Sequence, residues 1–120
     1  MPHQHHAIDY VELSAPNVDA ARAFYAAAFG WGFNDYGPAY AGIRGPDADG
    51  PEAGGLAVDG PASPLVILYS DDLDATLGAV VAAGGTIVNG PYDFPGGRRF
   101  HFVDPSGNEL AVWSPASATS

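Results

Sequence analysis

The chain has no cysteine and no lysine among its 120 residues, and only four arginines. Without cysteine there is no disulfide framework, no thiol nucleophile and no thiolate metal ligand, and this usage fits a reducing, cytoplasmic compartment. Four cations against 14 acidic residues leave a net charge of −10. Such a chain lacks the basic face that nucleic-acid phosphates require. Long apolar runs are also missing, so no membrane span is expected, and the opening MPHQHHA does not read as a signal peptide. The acidic balance permits a cationic ligand and equally serves as a solvated surface that aids solubility.

What is present is a repeat. VELSAPNVDAARAFYAAAFG, from Val11 to Gly30, aligns with VILYSDDLDATLGAVVAAGG, from Val66 to Gly85. Val11 meets Val66, Leu13 meets Leu68, Asp19 meets Asp74, Ala20 meets Ala75 and Gly30 meets Gly85. GLAV at Gly55–Val58 echoes ELAV at Glu109–Val112. Two units are too few for a solenoid, so two similar supersecondary modules in one domain are expected.

Each module reads as βαβββ. In the first, Ile8–Ser14 alternates as a strand, and Asn17 caps a helix with Asp19 in its first turn. Val18, Ala21, Phe24, Tyr25 and Ala28 form the expected core stripe, and Gly30 ends the helix. Trp31–Asn34, Tyr40–Arg44 and Gly55–Val58 read as short strands, with 45–53 (GPDADGPEA) as an acidic turn-rich loop. Trp31 is expected at a module or dimer contact. In the second module, Leu65–Ser70 is a strand and Asp72 caps a helix to about Ala83, with Leu73, Leu77, Val80 and Val81 facing the core. Strands follow at Thr86–Asn89, Arg98–Val103 and Glu109–Ser114, with 90–97 (GPYDFPGG) as a loop and 104–108 (DPSGN) as a turn. The modules are thus about 8–58 and 65–114 within a single domain of 1–120, joined by a short proline-stiffened 59–64. Tails at 1–7 and 115–120 are expected to be loose; the histidines of the first resemble a tag or metal tract.

Several motifs carry a resemblance. NVDAARAFY at 17–25, FGW at 29–31, AAGG at 82–85 and DPSGNEL at 104–110 are similar to the vicinal oxygen chelate superfamily. That group holds glyoxalase I, bleomycin-resistance proteins, fosfomycin-resistance enzymes and extradiol dioxygenases, and the resemblance runs from about Ile8 to Trp113. It implies an α+β fold in which two βαβββ modules curl their sheets around a central cleft, with helices outside. It also implies a homodimer.

Strand parity then sorts side chains between helix and cleft. Val11 and Leu13 go to the helix, leaving Tyr10, Glu12 and Ser14 for the cleft. By the same rule Leu65, Ile67 and Tyr69, then Arg99 and His101, then Glu109, Ala111 and Trp113 face it. A slip of one residue would reverse each strand. Metal-using relatives take one ligand from the first and last strands of each module. The resemblance puts those positions at Tyr10, Ala57, Leu65 and Ala111, a set in which alanine and leucine cannot ligate. No metal site and no cofactor is therefore expected. The alternative is a divalent metal on Glu12, Glu109 and His101, away from the family positions.

The remaining candidates each have two readings. His101 beside Glu12 or Glu109 is a general base with an orienting carboxylate, or a hydrogen-bonded strand histidine. Arg99 anchors an anionic group, or bridges to Asp104 or Glu109. Tyr10, Tyr69 and Trp113 form an aromatic wall for a flat or cationic ligand, or fill the core. Together Tyr10, Glu12, Tyr69, Arg99, His101, Glu109 and Trp113 are the expected ligand-binding set, with His101 the one catalytic candidate. The expected function is a metal-independent small-molecule-binding protein. Two alternatives stay open: a glyoxalase-like lyase, isomerase or dioxygenase, and a non-catalytic stress or regulatory protein.

Overall fold

Both helices begin on the residue the sequence marks. Asn17 accepts a hydrogen bond from the Ala20 amide at 3.0 Å, and Asp72 accepts one from Ala75 at 3.1 Å. In the computed structural model, which describes residues 3–47, 50–59 and 64–116, these caps open α1 (Val18–Phe29) and α2 (Leu73–Ala82). The strands are β1 (Ile8–Ser14), β2 (Gly32–Asp35), β3 (Tyr40–Gly45), β4 (Gly54–Ala57), β5 (Leu65–Tyr69), β6 (Thr86–Phe94), β7 (Gly97–Val103) and β8 (Glu109–Pro115). The fold is α+β, with the order βαβββ written twice. The chain divides into two compact units, one running from Tyr10 to Leu65 and the other taking the N-terminal arm through Asp9 and everything from Val66 on.

In the first unit the strand order is β2-β3-β4-β1, with β1 and β4 parallel and the other pairs antiparallel. Ala41, Ile43 and Leu56 turn to α1 and pack with Val18, Leu13, Tyr25 and Phe33. Gly30 stops α1 in the left-handed region at φ 72°, where a side chain would be strained. Trp31, expected at a module or dimer contact, is half-buried against the core of its own unit. It stacks on Tyr25 of its own unit, with centroids 4.9 Å apart and planes 12° apart. Phe24, assigned to the core stripe from spacing, is 58% exposed. The adjacent Tyr25 and Trp31 cover the sheet in its place.

The second unit repeats the plan as β5-β8-β7-β6. Phe100, Phe102 and Val112 pack with Leu73, Leu77 and Val80 under α2. Burying each such side chain contributes about 1.5–3 kcal/mol. Val81 is 53% exposed and Thr76 takes the inner position instead, hydrogen-bonded to Ser70 at 2.7 Å. Two further expectations are corrected here. The segment 90–97 is not a loop: β6 runs on to Phe94, with register shifts beside Asn89, and pairs Tyr92 with Arg99. An edge strand tolerates Pro91 at such an irregularity, because its outer N–H needs no partner. The arm is not loose either. The His6 amide donates to the Tyr69 carbonyl at 2.7 Å, and the Tyr69 amide to Ala7 at 3.1 Å. Most of the expected linker at 59–64 and of the C-terminal tail lies outside the described residues. Among the described residues no helix is long and apolar enough to cross a membrane.

Candidate functional site

The faces turned away from the helices carry the polar chemistry, and each unit has its own cluster. In the first unit β1 supplies Tyr10 and Glu12, β2 supplies Asn34 and β3 supplies Tyr40. Glu52, from the β3–β4 connection, is the hub. It accepts from the Tyr10 hydroxyl at 2.9 Å, from Asn34 Nδ2 at 2.9 Å and from the Tyr36 hydroxyl at 2.8 Å. The Tyr10 and Tyr40 hydroxyls lie 2.5 Å apart, and Tyr40 also reaches Glu12 at 3.4 Å. Tyr10 has one proton, and Glu52 takes it. The Tyr40 proton therefore goes to the Tyr10 oxygen or to Glu12.

Burial, reinforced by the neighbouring phenol and the Glu52 charge, pushes the Tyr10 hydroxyl far above the ordinary phenol range. Burial likewise raises Tyr40. Tyr36 is raised by its hydrogen bond to Glu52. The floor is glycine, because a Cβ on Gly42 would overlap Glu52 and one on Gly55 would overlap the Tyr40 hydroxyl. Glu12 is only 8% exposed. On the opposite face of this sheet a cavity of about 480 Å³ is lined by Val11, Leu13, Trp31, Ile43 and Pro46, among others. None of the seven expected site residues lines it.

In the second unit β6, β7 and β8 bring together Tyr92, Arg99, His101 and Glu109. His101 is 7% exposed. Its Nδ1 lies 3.0 Å from Glu109 Oε2 and its Nε2 2.8 Å from the Tyr92 hydroxyl. Arg99 Nε donates to that same hydroxyl oxygen. A guanidinium only donates, so the Tyr92 oxygen accepts from Arg99. With neutral imidazole, its proton then points to His101 Nε2, and Nδ1–H points to Glu109. Phenol, imidazole and carboxylate thus form a line along which a proton can move. The Arg99 guanidinium also lies over the Tyr92 and Phe94 rings, 5.6 and 5.8 Å from their centroids.

Beyond Phe94 stands Trp113, 6.1 Å away by centroids. Trp113 meets Tyr69 edge-on at 5.4 Å. Burial raises the Tyr69 phenol. The Trp113 indole N–H donates to Asp9 at 3.0 Å.

The seven expected residues therefore fall into two groups. Tyr10 and Glu12 belong to the first unit's phenol–carboxylate cluster. Tyr69, Arg99, His101, Glu109 and Trp113 share one face of the second unit. Among the described residues no three His, Asp or Glu side chains gather to hold a metal ion. At the positions the resemblance assigns to metal, Ala111 and Leu65 are buried at 0% and 1% exposure, and Tyr10 is committed to Tyr40 and Glu52. These residues do not fit a divalent ion.

Sequence reasoning missed Glu52, Tyr36, Tyr40, Asn34, Tyr92 and Asp9. Strand parity does place Tyr40 and Asn34 on the polar face, because the register sets Tyr40 against Ala57 and Asn34 against Gly42. Glu52 and Tyr92 lay in segments read as loops, where parity says nothing.

The sequence profile described as Glyoxalase/Bleomycin resistance protein/Dioxygenase superfamily matches residues 7–112. The anthracycline biosynthesis protein DnrV of Streptomyces peucetius is 35% identical over 116 residues, covering 88% of this chain and 40% of that protein. An uncharacterized protein of Mycolicibacterium smegmatis is 32% identical over 111 residues, covering 92% of this chain and 95% of its own length. The chain thus spans about two fifths of the Streptomyces relative and nearly all of the mycobacterial one. Among solved structures, the Mn(II)-bound glyoxalase from Novosphingobium aromaticivorans superposes with a TM-score of 0.67 at 27% identity, covering 92% of this chain and 39% of that one. Methylmalonyl-CoA epimerase from Mycobacterium tuberculosis superposes with a TM-score of 0.68 at 16% identity, covering 97% and 93%, a likeness of fold.

Proposed function

The chain belongs to the glyoxalase/bleomycin resistance protein/dioxygenase superfamily, and on that footing we propose that it is a small-molecule-binding member working without the usual divalent metal. One observation carries this reading. The helix-free face of the second unit presents Tyr69, Trp113, Arg99 and His101 around a buried Ala111, where a metal-using relative would place a ligand. The ring faces suit a flat aromatic or cationic guest, each π face attracting a desolvated cation by about 0.5–2 kcal/mol, and the Glu109 carboxylate on His101 supplies negative charge against the Arg99 guanidinium. The name of the Streptomyces relative, an anthracycline biosynthesis protein, supports a flat aromatic guest.

The test pairs elemental analysis with a thermal-shift panel of cationic, neutral and anionic aromatics. The expected result is no stoichiometric metal, with stabilisation by cationic or neutral rings. Near one chelatable metal per chain, or stabilisation by anions alone, overturns it.

A second reading rests on the Tyr92–His101–Glu109 line, which gives an enzyme of this superfamily a metal-free acid–base device. Turnover of small carbonyl substrates that survives chelator and is lost in His101→Gln would support it. Turnover retained in that variant sinks it.

A further inference from the structure

We propose that Tyr69, Trp113 and Asp9 form a subsite for a planar nitrogen heterocycle bearing an N–H donor, and that His3 of the chain's own N-terminal arm fills it as a displaceable plug. This rests on the small-molecule reading above and names the ligand class for one corner of that face.

The His3 ring lies on Tyr69, with centroids 4.9 Å apart and planes 18° apart. Trp113 closes the side edge-on, at 5.1 Å and 86°. Asp9 holds the third wall. One of its oxygens accepts the Trp113 indole N–H at 3.0 Å, which fixes the carboxylate. The other accepts from His3 Nδ1 at 2.6 Å. Stacking on a phenol with one in-plane N–H given to a carboxylate defines the guest: flat, aromatic, with a ring N–H, neutral or cationic. An anionic guest meets the Asp9 charge. Exposure is unequal, at 13% for the Asp9 side chain and 45% for His3. The acceptor belongs to the wall, and the imidazole sits at the mouth.

The arm is anchored just downstream of the plug. The His6 amide donates to the Tyr69 carbonyl at 2.7 Å, and His5 Nδ1 accepts the Asp71 amide at 2.8 Å. His6 Nε2 meets the Thr76 hydroxyl at 3.0 Å. The anchor holds His6 in the left-handed region at φ 65°, a conformation kept only where the surroundings impose it. His3 lies outside these anchors, so it can swing off the wall while residues 5–7 stay in place. A guest and His3 then compete for one subsite, and removing the plug raises apparent affinity by the reciprocal of the fraction of time the subsite stood open.

Benzimidazole is the probe, and benzofuran is its ring-matched control without N–H. Binding is followed by the Trp113 indole N–H resonance in the wild type, His3→Ala and Trp113→Ala, the last read by calorimetry. His3→Ala should bind benzimidazole at least about fivefold tighter than the wild type, and Trp113→Ala should lose most of that binding. Benzofuran should bind His3→Ala about tenfold more weakly than benzimidazole. His3→Ser should behave as His3→Ala, which separates loss of the ring from any effect of alanine. Equal affinity in wild type and both His3 variants, or benzofuran matching benzimidazole, overturns the subsite. If panel compounds still stabilise the wild type in that case, the small-molecule reading stands and this assignment alone falls.

Discussion

Gly55→Ala places one methyl under the phenol–carboxylate cluster, and its cost follows from the geometry. Gly55 is a β4 residue paired with Glu12 and Gly42, and its backbone is ordinary extended strand. Alanine adds no backbone strain there, and restricting the unfolded chain favours it by about 0.4–1 kcal/mol. Against this, the new Cβ overlaps the Tyr40 ring end and crowds the Tyr10 hydroxyl. Relieving such an overlap costs about 1–3 kcal/mol. Losing the Tyr10 bond to the Glu52 carboxylate costs about 1.5–3 kcal/mol more if the ring is driven off. Tyr40 is only half-buried and can swing partway outward, so the net expectation is destabilisation of about 1–3 kcal/mol. For 120 residues the unfolding entropy is about 0.25 kcal/mol/K, so Tm should fall by about 4–12 °C.

Two readouts check this. Calorimetry gives the Tm, and ultraviolet titration of tyrosinate follows the phenols. In the wild type Tyr10 and Tyr40 ionise above the ordinary value of 10.0, and in Gly55→Ala they should move back toward it. Adding Tyr40→Leu removes the atoms the methyl strikes, so the double variant should be destabilised by less than the sum of the singles. An unchanged Tm and an unchanged phenol titration in Gly55→Ala would refute the reasoning.

Other expectations follow from the same structure. Phe100, fully buried under α2, should cost about 3–5 kcal/mol when cut to alanine, read as a lowered denaturant midpoint. The raised Tyr10 and Tyr40 phenols mean that the folded state holds protons the unfolded chain releases. Their contribution is complete below pH 10.0 and is lost as pH rises beyond it; Tyr10→Phe should flatten that alkaline fall in urea melts at pH 8 and 11. Asp104 is shifted the other way, held below 3.8 first by the Asn108 amide at 2.9 Å and then by its side chain. Its contribution is present above 3.8 and is lost as pH falls below it, so Asp104→Asn should flatten the acid limb of a stability–pH curve. The protein is expected to be a homodimer, and a light-scattering mass near the 12.3 kDa of one chain would contradict that.

Much of this molecule is local, and the sequence determined it. Asn17 and Asp72 start helices because their side chains reach amides three residues on, and a strand's period of two separates Leu13 from Tyr10 and Phe100 from Arg99 without any long-range knowledge. The repeat carried the βαβββ plan, and the family resemblance sets Ala57, Leu65 and Ala111 where it implies that metal-using relatives carry ligands. Tertiary structure decided what those faces hold. Glu52 gathers Tyr10, Asn34 and Tyr36 only because the β3–β4 connection folds back over the glycines at 42 and 55, and no periodicity reports a loop's return path. Tyr92 joins His101 because β6 continues through a proline that composition marks as a stop. His3 reaches Trp113, 110 positions away, because the arm pairs its backbone with Tyr69. Parity assigns a side chain to a face from its nearest neighbours in sequence. Which groups meet on that face depends on strand order and loop closure, and those are set by the packing of the whole unit.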